Sequence, residues 1–196
     1  MTLQYPLDTP DTIGIESITL QAINAVAQTK SPYSFQTQVY NWGGERWGAE
    51  VTIPTVRRDL AADWKAFLTA LRGQTGTFLL GDPDYATPRG SVTAVDMIGS
   101  KGEDVITVDS ITGNFEAGDY FQMLNGSAAR LYMILEQTSG VGTYSVWPRL
   151  REDYTASDTV ILTNPKGVFK LTEASSRWTI NNNSQYAISF QAEEKL

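Results

Sequence analysis

Arg57-Arg58-Asp59-Leu60-Ala61-Ala62-Asp63-Trp64-Lys65-Ala66-Phe67-Leu68-Thr69-Ala70-Leu71-Arg72-Gly73 is the one stretch of this chain with a helical period. Leu60, Trp64, Phe67, Leu68 and Leu71 recur three or four residues apart and form a single apolar stripe. Asp59 suits an N-cap, and Gly73 stands where a left-handed C-terminal residue belongs. These signals predict a helix over about 59–72, with its stripe packed into a core. Gly76-Thr77-Phe78-Leu79-Leu80-Gly81-Asp82-Pro83 follows, a short apolar strand closed by a turn. The flanking sequence has strand patterning, so the chain reads as mainly β with one α-helix.

On the N-terminal side, Ile13, Ile15, Ile18 and Leu20 give an extended segment that Thr29-Lys30-Ser31-Pro32 breaks. Phe35, Thr37, Val39 and Trp42 lead into Asn41-Trp42-Gly43-Gly44, which has turn chemistry. Trp47, Ala49, Val51 and Ile53 then alternate with Gly48, Glu50 and Thr52, as in a half-buried strand. Two strands joined by Gly43-Gly44 read as a hairpin.

On the C-terminal side, residues 81–90 hold two Pro, two Gly and two Asp, and mark a domain boundary. Short strands are expected at 92–97, 105–108, 120–124, 131–135, 143–146 and 160–162. Turn signals separate them at Gly99-Ser100-Lys101-Gly102, Gly113-Asn114, Asn125-Gly126 and Ser139-Gly140. Even spacing without helical periodicity argues for a small barrel or sandwich. From Pro165 the pattern returns to that of the first part. Val168, Lys170 and Thr172 alternate with Phe169 and Leu171, Trp178 and Ile180 follow with Trp178 read as core, and Tyr186, Ile188 and Phe190 form a last strand after Asn181-Asn182-Asn183-Ser184. That strand needs partners. The economical division is one β domain from residues 1–89 and 165–196, with a β-barrel domain of residues 90–164 inserted into it.

The chain has 196 residues, 41% of them hydrophobic, enough for a core with little to spare. Its net charge is −7, and residues 90–164, with ten acidic and four basic groups, carry −6 of it. Such a balance argues against tight binding of nucleic acid or anionic membrane. Met1-Thr2-Leu3-Gln4-Tyr5-Pro6 has neither the basic region nor the apolar core of a signal peptide, and no apolar run is long enough to span a bilayer. Cysteine is absent, which removes disulfides and thiolate sites. Histidine is absent too, and with it the commonest general base and metal ligand. No cofactor or metal is expected.

Few residues offer chemistry. Asp82 and Asp84 flank Pro83 and are a candidate carboxylate pair, although Asp favours such turns for its own hydrogen bonds. Arg149 and Arg151 are a candidate anion site, but Glu152 and Asp153 adjoin them and favour a neutralised surface. Tyr40, Trp42 and Trp47 around Gly43-Gly44 are a candidate stacking platform, set against the commoner role of aromatics as core or cross-strand pairs. There is no nucleophile elbow, P-loop or dinucleotide fingerprint. A non-enzymatic protein is the expectation.

The segment from Arg57 to Pro83 resembles the hub domain of the distal tail proteins of long-tailed bacteriophages and their gene-transfer-agent relatives. Phe115-Glu116-Ala117-Gly118-Asp119-Tyr120-Phe121-Gln122, Leu131-Tyr132 and Val146-Trp147-Pro148-Arg149-Leu150-Arg151 resemble an inserted barrel of the oligonucleotide/oligosaccharide-binding (OB) type found in some of them. The resemblance implies a structural virion protein without catalytic residues. It implies a ring of six copies at the distal end of the tail, joining the tube protein to the tail-tip hub or baseplate and tape-measure proteins, with DNA passing through the lumen unbound. The protein would be made in the host cytoplasm and would not insert into membrane. Two other readings are set beside it. One is an OB-like module for host glycans, which needs Tyr120, Tyr132, Tyr144 and Trp147 on one exposed face. The other is a cell-wall glycosidase using Asp82 and Asp84.

Overall fold

The computed structural model describes residues 3–125 and 128–196. Gly126 of the expected Asn125-Gly126 turn and the first two residues of the expected non-signal N-terminus lie outside the described residues. The chain is mainly β with one helix, as its patterning predicts.

Two antiparallel sheets account for the strands. The first holds β1 (Ser17–Lys30), β2 (Thr37–Arg57), β12 (Gln185–Glu194), β10 (Gly167–Leu171) and β3 (Thr77–Leu80), in that order. A short strand β11 (Trp178–Ile180) also pairs with β12. The second holds β4 (Ala94–Ile98), β5 (Val105–Thr112), β8 (Gly142–Trp147), β7 (Ala128–Ile134), β6 (Tyr120–Asn125) and β9 (Thr159–Ile161). Its outer strands β4 and β9 approach one another, and Gly99 bridges to Tyr154 beside them, so the sheet curls into a nearly closed barrel. Its own core includes Met97, Ile106, Phe115, Phe121, Tyr132 and Tyr154.

The helix α1 (Arg58–Ala70) lies on one face of the first sheet and buries Ala61, Trp64, Phe67 and Leu68, with Leu71 just beyond its end. Trp64 packs on Phe67 and Phe190, and Phe67 packs on Phe78. Two details differ from the expected helix. Leu60 is 43% exposed, because the buried face is centred on Ala61 and Trp64 and leaves Leu60 on its flank. Arg57, not Asp59, is the N-cap residue, and it makes no side-chain cap bond. Asp59 instead sits in the first turn, where its charge complements the helix dipole. Gly73 does adopt φ +66°, and a Cβ there would lie 2.6 Å from the Ala174 carbonyl oxygen.

The Gly43-Gly44 hairpin is not formed. β2 runs unbroken through it, and the chain reverses at residues 31–36 instead. Asn24 faces Glu45 and Val26 faces Asn41, so Ala25 alone opposes Trp42, Gly43 and Gly44 in a bulge. Asn41 Oδ1 accepts the Gly43 N–H at 2.8 Å, and Gly43 has φ +70°. Turn chemistry is present there, but it kinks a strand rather than ending it. Trp178, expected in the core, is half-exposed on the short strand β11.

The same face of the first sheet receives α1 at one end and the second sheet at the other. Leu131 and Trp147 join the core cluster of Trp47, Val51, Trp64 and Phe169.

Candidate functional site

Two features stand out: a two-stranded arm that leaves the first sheet, and the seam where the two sheets meet. The arm arises because β12 pairs with β2 only from Gly48 to Arg57, whereas β1 pairs with β2 out to Lys30 and Thr37. From Gln21, opposite Gly48, to Lys30 the ribbon extends about 30 Å at the usual strand rise. The seam reaches its base at Asn24 and Glu45; among the described residues nothing covers the remainder, residues 25–42, apart from the half-buried Ser31. Val26, Val39, Tyr40, Trp42 and Phe35 are all exposed, and Tyr33 at the tip is 95% exposed. Tyr40 and Trp42 stack edge to face at 4.5 Å. A two-stranded ribbon is marginal in water, and contiguous exposed apolar residues mark a contact surface.

The seam is built by the string from Trp147 to Arg151. The Trp147 ring meets the Trp47 ring at 4.3 Å, nearly perpendicular. Each indole N–H crosses the seam: Trp47 Nε1 donates to the Leu131 carbonyl at 2.9 Å, and Trp147 Nε1 donates to Asn24 Oδ1 at 3.1 Å. Arg151 grips Glu194 with two bonds, from Nε at 3.1 Å and Nη2 at 2.8 Å, and Nη2 also donates to the Glu45 carbonyl at 2.6 Å. The Glu194 carboxylate, 3% exposed, further accepts the Trp47 N–H at 3.1 Å. Arg149 N donates to Glu45 Oε2 at 2.7 Å, and its guanidinium reaches Asp104 at 3.2 Å. Arg130 adds bonds to the Lys195 carbonyl and to Glu152. The arginines are neutralised, as expected, but mainly by carboxylates far away in sequence. They are not open to an external anion.

The remaining candidates are dispersed. Among the proposed stacking residues, Trp47, Tyr132, Tyr144 and Trp147 are buried and Tyr120 is half-buried. Burial removes the exposed platform that a glycan site on them requires; only Trp42, with Tyr40, faces solvent. Asp82 Oδ1 accepts the Asp84 N–H at 3.0 Å, so it serves its own turn. Among the described residues no group of three or more acidic side chains is placed to hold a metal ion. Among the described residues no helix is long and apolar enough to cross a membrane.

Several residues of consequence carry no signal in the sequence. Glu45, Glu194 and Asn24 look like ordinary polar strand residues, and only their neighbours across the seam give them a role. Asp119 is buried and accepts the N–H groups of Arg89, Gly90 and Glu116 at 2.7–2.9 Å, which pins the crossover from β3 to the barrel. Its place beside Gly118 in a strand-entry turn was the one available hint.

Tyrosines are the groups whose ionisation the fold alters most. Tyr132 and Tyr154 bond to each other at 3.0 Å inside the barrel. Burial pushes both phenols above their ordinary range, and for Tyr154 proximity to Tyr132 adds to it. Tyr85 is raised as well, first by burial and then by the Asp119 carboxylate. A raised folded pKa means the unfolded chain loses its protons first. Stability from these groups is therefore intact below the unfolded value of about 10 and is lost as pH rises beyond it. Thermal melts should hold level up to about pH 9.5 and fall steeply above it. Tyr154→Phe should flatten that fall; an equally steep fall in the variant would locate the effect elsewhere.

Compared with known protein families and with curated proteins, the chain matches none.

Proposed function

We propose that this chain is a structural ring subunit of a long-tailed phage, a distal tail protein that joins the tail tube to the tail tip. The observation that carries the reading is the uncovered arm, with its aromatic tip and free edges. An arm of this kind is an unfinished contact. Its natural cover is another copy of the chain, because the patch it offers differs from the surface that must receive it. Contacts between two different patches run head to tail and close into a ring when the rotation allows. The resemblance of the helix-and-turn segment from Arg57 to Pro83 supplies the place of the ring, six copies at the distal end of the tail, and its neighbours: tube, tip hub and tape-measure proteins. DNA would pass through the lumen, and the acidic balance of the chain suits passage without binding.

The test is assembly with and without the arm. Residues 25–42 replaced by a two-residue turn should leave a folded chain, since no buried core residue lies in that span. The intact chain, mixed with tube protein as a template, should give rings in negative-stain images, and the shortened chain none. Rings from both would refute the role of the arm. Gold-labelled antibody on virions should mark the junction of tube and tip; label on side fibres, or on no virion at all, would refute the location.

A further inference from the structure

Folding leaves uncompensated charge on two separate surfaces of opposite sign. In the barrel, Arg130, Arg149 and Arg151 are all engaged by carboxylates. Asp119 is buried, and Asp158 accepts bonds within its own turn. Asp96 on β4, Asp109 on β5 and Glu103 in the loop between them are exposed, and among the described residues their carboxylates have no partner. Asp96 lies opposite Ser110, and Asp109 is the extra residue of the bulge beside that pair. Val95, Met97 and Val108 point into the barrel, so both carboxylates stand on the outer face of the hairpin. Like charges placed side by side on paired strands repel, and neither strand contains a cation to offset them. Ile98, 40% exposed, continues the row of Asp96.

The opposite sign collects along α1. Arg58 and Lys65 lie on one flank of the helix, about two turns and about 10 Å apart. Arg57, Arg58 and Lys65 border a groove with Ala62 and Ser184. Lys65 and Arg72 border a second groove with Ala66 and Trp178. Because Lys65 is common to both, the grooves form one trough between α1 and the hairpin of β11 and β12, with four cations along it. Lys65 rests over the Tyr186 ring at 4.5 Å. Among the described residues the guanidinium groups of Arg57, Arg58 and Arg72 have no partner. Asp59 borders only the N-terminal end, and Asp63 stands about 140° around the helix from Arg58. A trough with cations along its length, and with Ala66 and Trp178 beside them, suits a surface of carboxylates set around an apolar residue.

We propose that the cationic trough along α1 of one copy receives the outer face of the β4–β5 hairpin, with Asp96 and Asp109, of the next copy. The charges are complementary, and each face adds an exposed apolar side chain, Trp178 on one and Ile98 on the other. Among the described residues no ion pair joins the two faces within one chain, so their contact runs between chains. The two patches differ, and the contact is therefore head to tail. It rests on the ring reading, to which it adds a second, salt-sensitive contact apart from the arm. A phosphate backbone is the less favoured occupant, because it would have to approach a chain of net charge −7.

The chain has no cysteine, so a pair of introduced ones reports the contact directly. Full chains carrying Ala66→Cys and Ser110→Cys, both exposed positions, are mixed and oxidised. A disulfide-linked dimer should form at low salt. Its yield should fall at least about tenfold near 1 M salt, where the Debye length is about 3 Å. Arg58→Glu with Arg72→Glu in the first chain should abolish the link, and so should Asp96→Lys with Asp109→Lys in the second. All four residues are exposed, and circular dichroism should be unchanged. The two charge-reversed chains mixed together should link again. No link between the unreversed chains, a link indifferent to salt, or no recovery with both reversals overturns the proposal. Retardation of duplex DNA that is lost with Arg58→Glu and Arg72→Glu, without any link, assigns the trough to a phosphate backbone and also overturns it. The ring itself is read separately: rings on tube protein that persist with Arg58→Glu and Arg72→Glu refute this contact and leave the ring reading standing. A link restored by the paired reversals, in a protein absent from virions, supports the contact and refutes the location.

Discussion

Arg151→Ala should destabilise the protein by about 3–5 kcal/mol, because it strands a buried carboxylate. Glu194 is almost wholly shielded from water, and two of its three hydrogen bonds come from Arg151. Deletion of the guanidinium leaves the Trp47 N–H as the only remaining donor and also uncaps the Glu45 carbonyl. In a chain of this length the melting temperature should fall by about 10 °C or more. A charge-removing partner change separates pairing from packing. Arg151→Met with Glu194→Gln keeps an acceptor for Trp47 and eliminates the stranded charge, so the double variant should be more stable than Arg151→Ala alone. A loss below about 1 kcal/mol for Arg151→Ala would mean that water reaches Glu194 and that the seam is soft.

Trp64→Ala should cost a similar amount, about 3–5 kcal/mol, for a different reason. The indole is fully buried between α1 and β12, touches Phe67 and Phe190, and donates to the Ile13 carbonyl at 3.3 Å. Truncation leaves a cavity that the stiff sheet cannot close. Chemical denaturation measures the loss, and it should be accompanied by easier unfolding of α1 in hydrogen exchange. Leu60→Ala is the companion experiment: the stripe read from sequence gives Leu60 and Trp64 equal weight, whereas the exposure of Leu60 predicts a change within about 0.5 kcal/mol.

That contrast shows what sequence can carry. The helix was legible because its period of 3.6 is unlike anything around it. The flank of the stripe was not, since Leu60 and Ala61 are both compatible with the period and only the way the helix seats on the core decides between them. Gly43-Gly44 was legible as a backbone irregularity. Whether it reversed the chain depended on the partner strand, and Ala25 opposite it makes a bulge. The arm was invisible for the same reason: nothing in residues 37–42 marks the lack of a partner strand, and their exposure follows from where β12 stops. Trp47 and Trp147 were read as a choice between core and platform, and the choice was made by a contact between residues a hundred positions apart. Trp178 was read as core because it lies in a strand, and it stands at the surface on the short strand β11. The phage-tail location is our proposal, and it concerns contacts between chains rather than within one.

The two strands through which the chain enters and leaves the barrel are hydrogen-bonded neighbours: Leu80 at the end of β3 faces Gly167 at the start of β10. Points so close can be joined by a tight turn, and they can equally be spread by a different insert of any length, since the first sheet senses only the spacing of one strand pair. The position is a socket. Its tolerance is limited by the seam, because whatever occupies it must also present a cover for Trp47 and a cation for Glu194. A lineage could therefore exchange the barrel for another module, but only one that brings an equivalent plug.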